Sequence, residues 1–496
     1  MVASINIGLL SIHPFNSLSV VNKDYDAVVV GSGPNGLAAA IVLQQAGLSV
    51  LLLEGKETIG GGLRTAALTL PGYLHDICSA IHPFAVCSPF FRSLPLAEHG
   101  LEYIYPMAAA AHPFDDGTAA VLHTSIEQTA ASFGDDDSAY LRLMMPLVNK
   151  WPEIFPFVLN PTSIPSHPLQ VAKFGRHGIL PASRFVKKYF HNVHAQGLIA
   201  GMAAHAMQPF TNLATASIAL VLLLLGHSSG WPMPKGGSQQ IANALGSYFL
   251  QLGGKIETNF MVSNLAQLPS AHVHIFDTTP KQLLQIAGNK LSPLYTWQMK
   301  RYRYGMGVFK VDWALDDAIP FTAPACRLAA TIHLGNTYAE IADSEQLTAQ
   351  GKHHGKPFVL LAQQSLFDTS RAPVGKHTAW AYCHVPASST VDMTDAIEKQ
   401  VERFAPGFRE LILARHTMNT AAMEIYNPNY IGGDIGGGVQ DIRQLFTRPA
   451  LRFSPYRTSA KGIYICSAST APGGGVHGMC GYHAAWAALR HLKVLN

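Results

Sequence analysis

The stretch VVVGSGPNGLAAAIVLQQAGLSVLLLEG constrains this chain more than any other. Its glycines Gly31, Gly33 and Gly36 stand between a short β-branched run and an Ala/Leu-rich run with helical spacing. The first glycine permits a tight turn, the second lets the backbone approach a ligand, and the third lets the helix pack on the strand. A second apolar run ends at Glu54, 18 residues beyond Gly36. We therefore predict a β-α-β unit that opens a parallel sheet.

This unit has the chemistry of a dinucleotide site. Free N–H groups at the helix N-terminus attract phosphate, and Glu54 stands where an acid accepts a hydrogen bond from a ribose hydroxyl. A second glycine turn follows at Gly61 and Gly62, with Leu63 and Arg64 directly after it. Further backbone contacts of this kind suit a long flavin dinucleotide, so we predict FAD as the cofactor. The alternative is an ordinary glycine turn in an α/β core.

The end of the chain favours the same interpretation. The segment KGIYICSASTAPGGGVHGMCGYHAAWAALRHL has the pattern of a strand, a glycine-rich loop and a helix. The glycine-rich segments 432–438 and 473–478 lack the downstream acid of a second dinucleotide fingerprint. We therefore expect no separate NAD(P)H domain.

These motifs resemble those of FAD-dependent enzymes in the group that contains phytoene desaturases, carotenoid isomerases and amine oxidases. The resemblance covers the two glycine turns, WPMPKGG, NPNYIGGDIGGG and SPYRTSAKGIYICSAST, and reaches nearly from end to end. It is closest to the phytoene dehydrogenase-related branch, the branch of pyridine nucleotide-disulfide oxidoreductase domain-containing protein 2. It implies an α/β FAD-binding Rossmann domain of the glutathione-reductase-like type, with an inserted α+β substrate domain. Where many of these enzymes have Gly-Asp, this chain has Ser467-Ala468, and Ser467 or Ser469 would replace the acid with a weaker hydrogen bond.

The motifs and the resemblance together predict the residues that bind FAD: Gly31, Ser32, Gly33, Pro34, Asn35, Gly36, Glu54, Gly55, Lys56, Gly61, Gly62, Leu63, Arg64, Val262, Ser467, Ala468, Pro472, Gly474, Gly475 and Val476.

Three further residues are candidates for catalysis. Lys310, on a predicted strand, is similar to the lysine that hydrogen-bonds a water near the flavin in related amine oxidases, and its alternative is a lysine at a strand edge. His477 lies in the C-terminal glycine loop, and His384 lies in an apolar segment. Each histidine is a candidate for a general base or a substrate contact, or else a packed core residue. The close histidine pairs lack a third ligand at metal-site spacing, so we predict no metal.

Composition narrows the function. Charged residues make up 13% of the 496 residues and the mean hydropathy is +0.14, which favours an apolar pocket. The net charge of +4 is scattered, so we expect no nucleic acid partner. Residues 218–225, the longest apolar run, are too few to span a membrane. Residues 1–20 lack the basic start of a signal, so we predict a frayed leader and a cytoplasmic protein. The six cysteines form no paired motif, so we predict reduced thiols.

We predict that the FAD-binding domain is assembled from residues 24–75, 227–290 and 440–496, and that residues 76–226 and 291–439 form the substrate domain. The segment GGDIGGG, with Asn427, Asn429 and Tyr430 before it, is either a wall of the substrate site or a plain turn. The motif GHSSG at 226–230 matches a hydrolase nucleophile elbow, but the prolines that follow it exclude the helix that an elbow needs.

The predicted function is oxidation, or flavin-assisted isomerisation, of a hydrophobic isoprenoid-like or lipid-like substrate. The electron acceptor would be oxygen or a quinone. Amine oxidation is the alternative within enzymes, and a flavin-binding protein with decayed catalysis is the alternative outside them. The sequence leaves the oligomeric state and peripheral membrane contact open.

Overall fold

Two large sheets, two small two-stranded sheets and the helices packed around them make up the part of the chain that the structure, a computed structural model, describes: residues 24–492. The predicted leader at 1–20 lies outside these residues. The strands are β1 (Tyr25–Val30), β2 (Val50–Leu53), β3 (Thr65–Ala66), β4 (His75–Asp76), β5 (Tyr103–Ile104), β6 (Ala108–Pro113), β7 (Ala119–Leu122), β8 (Met233–Pro234), β9 (Lys255–Glu257), β10 (Ala271–Phe276), β11 (Gly307–Leu315), β12 (Ala329–Leu334), β13 (Val359–Ala362), β14 (His377–Val385), β15 (Ile412–Met418) and β16 (Ile463–Ile465). The two small sheets are β3-β4 and β5-β8.

The α-helices are α1 (Pro34–Gln45), α2 (Pro83–Cys87), α3 (Pro89–Arg92), α4 (Ile126–Ala130), α5 (Asp137–Asn149), α6 (Trp151–Val158), α7 (Pro168–Gly178), α8 (Ala182–Tyr189), α9 (Val193–Ala204), α10 (Thr215–Ser229), α11 (Gln239–Gln251), α12 (Pro280–Ala287), α13 (Pro293–Lys300), α14 (Tyr338–Ala349), α15 (Thr394–Phe404), α16 (Thr420–Tyr426), α17 (Ile442–Leu445) and α18 (Met479–His491).

The first sheet is parallel, with the order β16-β10-β1-β2-β9. Its central strand is buried on both faces, as its continuous β-branched run predicts. Ala27 and Val29 pack in the core that contains α1, α11 and α18, whereas Val28 and Val30 pack in the core that contains α12 and α13. The predicted β-α-β unit and the predicted α/β class are confirmed, while the finer glutathione-reductase-like assignment stays a prediction.

The strand order of this sheet brings the loops after β1, β2, β10 and β16 together at the carboxyl ends of the strands. The chain leaves β1 toward β2 on one side, while β10 lies on the other side of β1. Ligands of open parallel sheets bind at such a switch point, outside the carboxyl ends of the strands. Gly31 follows β1, Glu54 follows β2, Asp277 follows β10, and Ser467 comes two residues after β16. Four loops that are distant in sequence therefore meet at one edge.

The last helix brings the C-terminal loop to the first glycine turn. Helix α18 packs along α1 so closely that a Cβ on Gly481 would lie 1.8 Å from the carbonyl oxygen of Asn35. The strand, glycine loop and helix predicted at the end of the chain are thus confirmed as β16, the loop 466–478 and α18.

The second sheet is mixed, with the order β15-β11-β14-β13-β12-β6-β7. One face packs on α15 through Ile397, Val401 and Phe404. The other face packs on α9, and it carries Trp380 and Leu360. The strands of the first sheet come from three separated ranges, 25–53, 255–276 and 463–465, and the predicted domain boundaries stay predictions.

The longest apolar run of the sequence lies in α10. This helix is buried on all sides from Ala219 to His227 because it packs against other helices, chiefly α7 and α9. Among the helices that the structure describes, none has both the length and the apolar character needed to cross a bilayer.

Candidate functional site

A cavity of about 460 Å³ lies at the carboxyl ends of the first sheet and extends to the open face of the second. We divide its lining by chemistry. The turn wall contains Gly31, Ser32, Gly33, Glu54, Lys56, Gly61, Gly62, Arg64 and Asp277, and the apolar wall contains His205, Leu222, Trp231, Thr331, Leu360, Trp380 and Tyr382. Of the residues predicted to bind FAD, all except Gly36 and Pro472 line the cavity.

The first glycine turn is shaped by close backbone contacts. Gly31 has a φ of +96°, a conformation that L side chains rarely adopt. A Cβ on Gly36 would lie 1.9 Å from the carbonyl oxygen of Gly31, so only glycine lets α1 start this close to β1. Gly36 therefore acts from beneath the cavity, through its backbone.

Glu54 ties the two glycine turns together. Its Oε2 accepts hydrogen bonds from the backbone N–H (3.1 Å) and the hydroxyl of Ser32. Its Oε1 accepts from the N–H of Lys56 (2.9 Å) and from Arg64 (3.0 Å). A ribose hydroxyl would replace one of these four donors, because a carboxylate accepts about four hydrogen bonds.

Unpartnered polar atoms show that the turn wall suits a polar ligand. The Oδ1 of Asn35 and the hydroxyl of Thr278 are buried, line the cavity and have no hydrogen-bond partner within residues 24–492. Such atoms are costly unless a ligand or water satisfies them. Gly62 leaves room beside Tyr430, because a Cβ there would lie 2.4 Å from the tyrosine oxygen. The donors, acceptors and glycines present therefore fit a dinucleotide.

The replacement of the usual acid by Ala468 leaves one free hydroxyl. Ser469 donates its hydroxyl to the carbonyl of Gly437 (2.7 Å), so this side chain is occupied. Ser467 accepts from the N–H of Ser469 (3.2 Å), and its own O–H has no acceptor within the described part of the chain. Both Ser467 and Ala468 line the cavity, so Ser467 is the serine that can donate to a ligand here.

Asp277 is a site residue that the sequence analysis missed. It follows β10, lines the cavity, and accepts a hydrogen bond from the N–H of Gly36 (2.9 Å) at the start of α1. Burial raises the pKa of Asp277 to about 7, with a smaller contribution from the charge of Glu54. The other titratable groups nearby are the thiols of Cys466 and Cys480. The sequence indicated Asp277 only by its position directly after the strand-like run HVHIF, since parallel strands align their carboxyl ends.

We predict that FAD binding weakens as the pH rises through 7. Below this pH the Asp277 carboxyl is neutral, whereas above it a negative charge faces the turn that is predicted to bind phosphate. If only the neutral form binds, the Kd rises by about tenfold per pH unit above the pKa. Fluorescence titration of the apoprotein with FAD between pH 6 and pH 8 measures this. Asp277→Asn should flatten the profile, and an equally steep profile in this variant would contradict the assignment.

None of the three predicted catalytic side chains lines the cavity. His477 is 1% exposed, its Nδ1 accepts from the N–H of Met479 (3.0 Å), and burial lowers its pKa to about 4. His384 is 4% exposed and its Nδ1 bonds to Glu345 (2.8 Å). Neither histidine reaches the cavity, and the catalytic roles predicted for them stay predictions.

Lys310 also lies behind the wall. It is buried on β11, forms an ion pair with Asp312, and sits 5.5 Å from the ring centroid of Trp380. Trp380 itself lines the cavity. The structure thus places the ammonium one side chain away from the cavity, and its predicted role also stays a prediction.

The register of the second sheet explains the apolar wall. His333 pairs with Leu360, and Leu360 pairs with Tyr382, so these side chains lie in one row across three strands. Thr331 and Trp380, two residues away on their strands, face the same way. Trp380 and Tyr382 stack with ring planes 14° apart. The sequence analysis missed this wall because strand pairing cannot be deduced from one sequence.

The segment around GGDIGGG contributes to the cavity as well. Asn427, Asn429, Tyr430, Ile435 and Gly437 line it. The segment is therefore part of the cavity lining and not a plain turn, and its contact with substrate stays a prediction.

Comparison with known proteins agrees with a dinucleotide-binding fold. The family model of an NAD(P)-binding Rossmann-like domain matches residues 29–92. Pyridine nucleotide-disulfide oxidoreductase domain-containing protein 2 of Mus musculus is 24% identical, over 95% of this chain and 94% of its own. The lycopene-forming phytoene desaturase of Paracoccus sp. is 21% identical, over 92% of this chain and 95% of its own. This chain is a relative of both.

Among solved structures, cyclohexylamine oxidase from Brevibacterium oxydans has the same fold, with a TM-score of 0.60 and 14% identity over 95% of this chain and all of its own. The predicted resemblance is confirmed for the branch of pyridine nucleotide-disulfide oxidoreductase domain-containing protein 2 and for the phytoene desaturases. The predicted class, an FAD-dependent oxidoreductase with a Rossmann-type site, is confirmed as well.

Proposed function

We propose that this chain oxidises a neutral, largely apolar substrate by dehydrogenation. The observation that carries the proposal is the composition of the apolar wall, where two tryptophans, two leucines and a tyrosine face the cavity beside one histidine and one threonine. Bound FAD supplies a two-electron acceptor, which takes two electrons and a proton while the other proton leaves the substrate. The chain's own residues bind the substrate and exclude water from it.

The distribution of charge separates this proposal from amine oxidation. The charged residues that line the cavity are Glu54, Lys56, Arg64 and Asp277, and all belong to the turn wall. An ammonium group in an apolar site needs a carboxylate or a set of aromatic faces around it. The apolar wall carries no acid, and one of its three aromatic rings, that of Trp380, already has the ammonium of Lys310 over it. The wall therefore favours a neutral molecule.

The relatives support this choice only by analogy. The Paracoccus sp. relative is named as a phytoene desaturase that forms lycopene, and the Brevibacterium oxydans structure is a cyclohexylamine oxidase. Sequence similarity along the chain connects it to the first, and fold alone connects it to the second. We propose oxygen or a quinone as the electron acceptor.

Anaerobic reduction tests the proposal. FAD-loaded protein is mixed with phytoene in detergent, with farnesal, or with cyclohexylamine, and the visible flavin bands are followed. We expect an apolar compound to bleach the bands and the amine to leave them unchanged. Bleaching by the amine alone would favour amine oxidation, and no bleaching by any compound would favour isomerisation or decayed catalysis.

A variant pair links the activity to the apolar wall. Leu360→Glu places a charge on this wall, and we expect it to reduce the bleaching rate at least tenfold while FAD stays bound, because burying a charge beside an apolar substrate is costly. Leu413→Glu is the control, since Leu413 is 46% exposed on β15. Equal rates in the two variants would contradict the proposed substrate site.

A further inference from the structure

Three polar groups interrupt the apolar wall, and each lacks a protein partner. The Nδ1 of His205, the hydroxyl of Thr331 and the hydroxyl of Tyr382 make no hydrogen bond within residues 24–492. All three residues line the cavity. Thr331 and Tyr382 come from β12 and β14, and His205 directly follows α9, so three separate elements contribute them.

The neighbouring ring of His333 determines which nitrogen of His205 carries the proton. The Nε2 atoms of His205 and His333 are 3.0 Å apart, so one ring donates to the other. His333 is 0% exposed and its Nδ1 has no partner. Gly201 on α9 covers this atom, since a Cβ there would lie 2.6 Å from it.

A buried N–H without an acceptor is rarer than a buried lone pair without a donor. The proton of His333 therefore belongs on Nε2, which donates to the Nε2 of His205. Burial lowers the pKa of His205 to about 3, with a smaller effect of His384, and burial lowers the pKa of His333 well below its usual value. Both rings are neutral near pH 7, and the single proton of His205 lies on Nδ1. His205 thus presents an N–H donor to the cavity.

We infer that the substrate carries one neutral oxygen, a carbonyl or a hydroxyl, which accepts a hydrogen bond from the Nδ1–H of His205 beside the hydroxyls of Thr331 and Tyr382. This inference rests on the proposed function and names the substrate class more closely: an oxygenated apolar molecule and not a pure hydrocarbon. A carboxylate does not fit, because no Lys or Arg side chain lines this wall and the buried Lys310 behind it is paired with Asp312. An ammonium does not fit either, because the rings offer a donor to it and no acid is present.

Binding of three probes of equal chain length tests the inference. The FAD-loaded full-length protein is titrated with farnesal, farnesene or farnesylamine, and the Kd is read from the change in flavin absorbance. We expect farnesal to bind about tenfold more tightly than farnesene, because bound hydrocarbon excludes water from the N–H of His205 and leaves it unpaired. We expect farnesylamine to bind no more tightly than farnesene.

Two variants assign the effect to His205. His205→Phe keeps a ring and removes the donor, and it should bring the Kd values of farnesal and farnesene within about twofold of each other. His205→Gln restores an N–H donor and should restore the preference for farnesal. The FAD affinity of both variants should equal that of the wild type, which separates a lost substrate contact from general damage to the fold.

The outcomes distinguish this inference from the proposed function. Equal Kd values for farnesal and farnesene in the wild type, or a preference that survives His205→Phe, would overturn the inference and leave an apolar substrate in place. Tightest binding of farnesylamine, or no binding of any probe, would overturn the proposed function and the inference together.

Discussion

Gly36→Ala should remove FAD from the purified protein and weaken FAD binding by at least about 100-fold. The new Cβ would lie 1.9 Å from the carbonyl oxygen of Gly31 and 3.2 Å from the Cβ of Asp277. These contacts are with backbone and with a buried side chain, so the helix start has to move away from the strand. Overpacking of this kind costs about 1–3 kcal/mol or more, and it displaces the N–H groups that would face the phosphates.

The matched control is Gly175→Ala, a helical glycine on α7 with no atom within 4 Å of its added Cβ. It should retain FAD as the wild type does. Circular dichroism of both variants shows whether the fold survives, and FAD titration measures the affinity. A folded Gly36→Ala protein that binds FAD as tightly as the control would contradict the assignment of the first glycine turn.

Asp312→Asn should destabilise the protein by about 3–5 kcal/mol, because it leaves the Lys310 ammonium buried without its counter-ion. Lys310 is 1% exposed and Asp312 is 0% exposed. Burial alone would raise the pKa of Asp312, but Lys310 holds the pKa of this carboxyl below its usual value. The imidazoles of His75 and His416 lie 3.7 and 3.5 Å from the same carboxylate, so the loss of its charge changes their surroundings too.

Urea unfolding of the apoprotein measures this effect, since bound FAD would add its own stabilisation. The control is Asp395→Asn, which breaks an ion pair with Lys399 in which both side chains are 66% exposed. This exposed pair should change the free energy of unfolding by less than about 1 kcal/mol. Similar losses of unfolding free energy in the two variants would contradict the burial of the Lys310–Asp312 pair.

Local chemistry made the turn wall predictable. The positions of Gly31, Gly33 and Gly36 follow from the turn they form, and the acid at Glu54 follows from the strand before it. The structure adds that Glu54 is held by Ser32, Lys56 and Arg64, which no spacing rule states. The glycine motif thus predicts the cofactor class, and the tertiary structure shows the hydrogen bonds that hold Glu54.

The apolar wall and Asp277 depend on pairings between segments that are far apart in sequence. Tyr382 faces the cavity because β14 pairs with β13, and His205 reaches it because α9 packs on the second sheet. The sequence around a histidine in an apolar segment does not show whether the side chain lines a cavity or is packed behind it. His477 is packed behind the cavity lining. The glycine motifs therefore predict the turn wall, whereas the apolar wall follows from strand register, which a single sequence does not show.

The absorbance spectrum of the purified protein, with and without added FAD and then under anaerobic reduction, tests the central claim most directly. We expect the two visible flavin bands after FAD is added and the excess removed, and we expect both bands to bleach on reduction. A folded protein that shows no flavin bands under these conditions would contradict the account. In that case Ala468 would mark a lost cofactor site, and the alternative of decayed catalysis would replace the oxidoreductase.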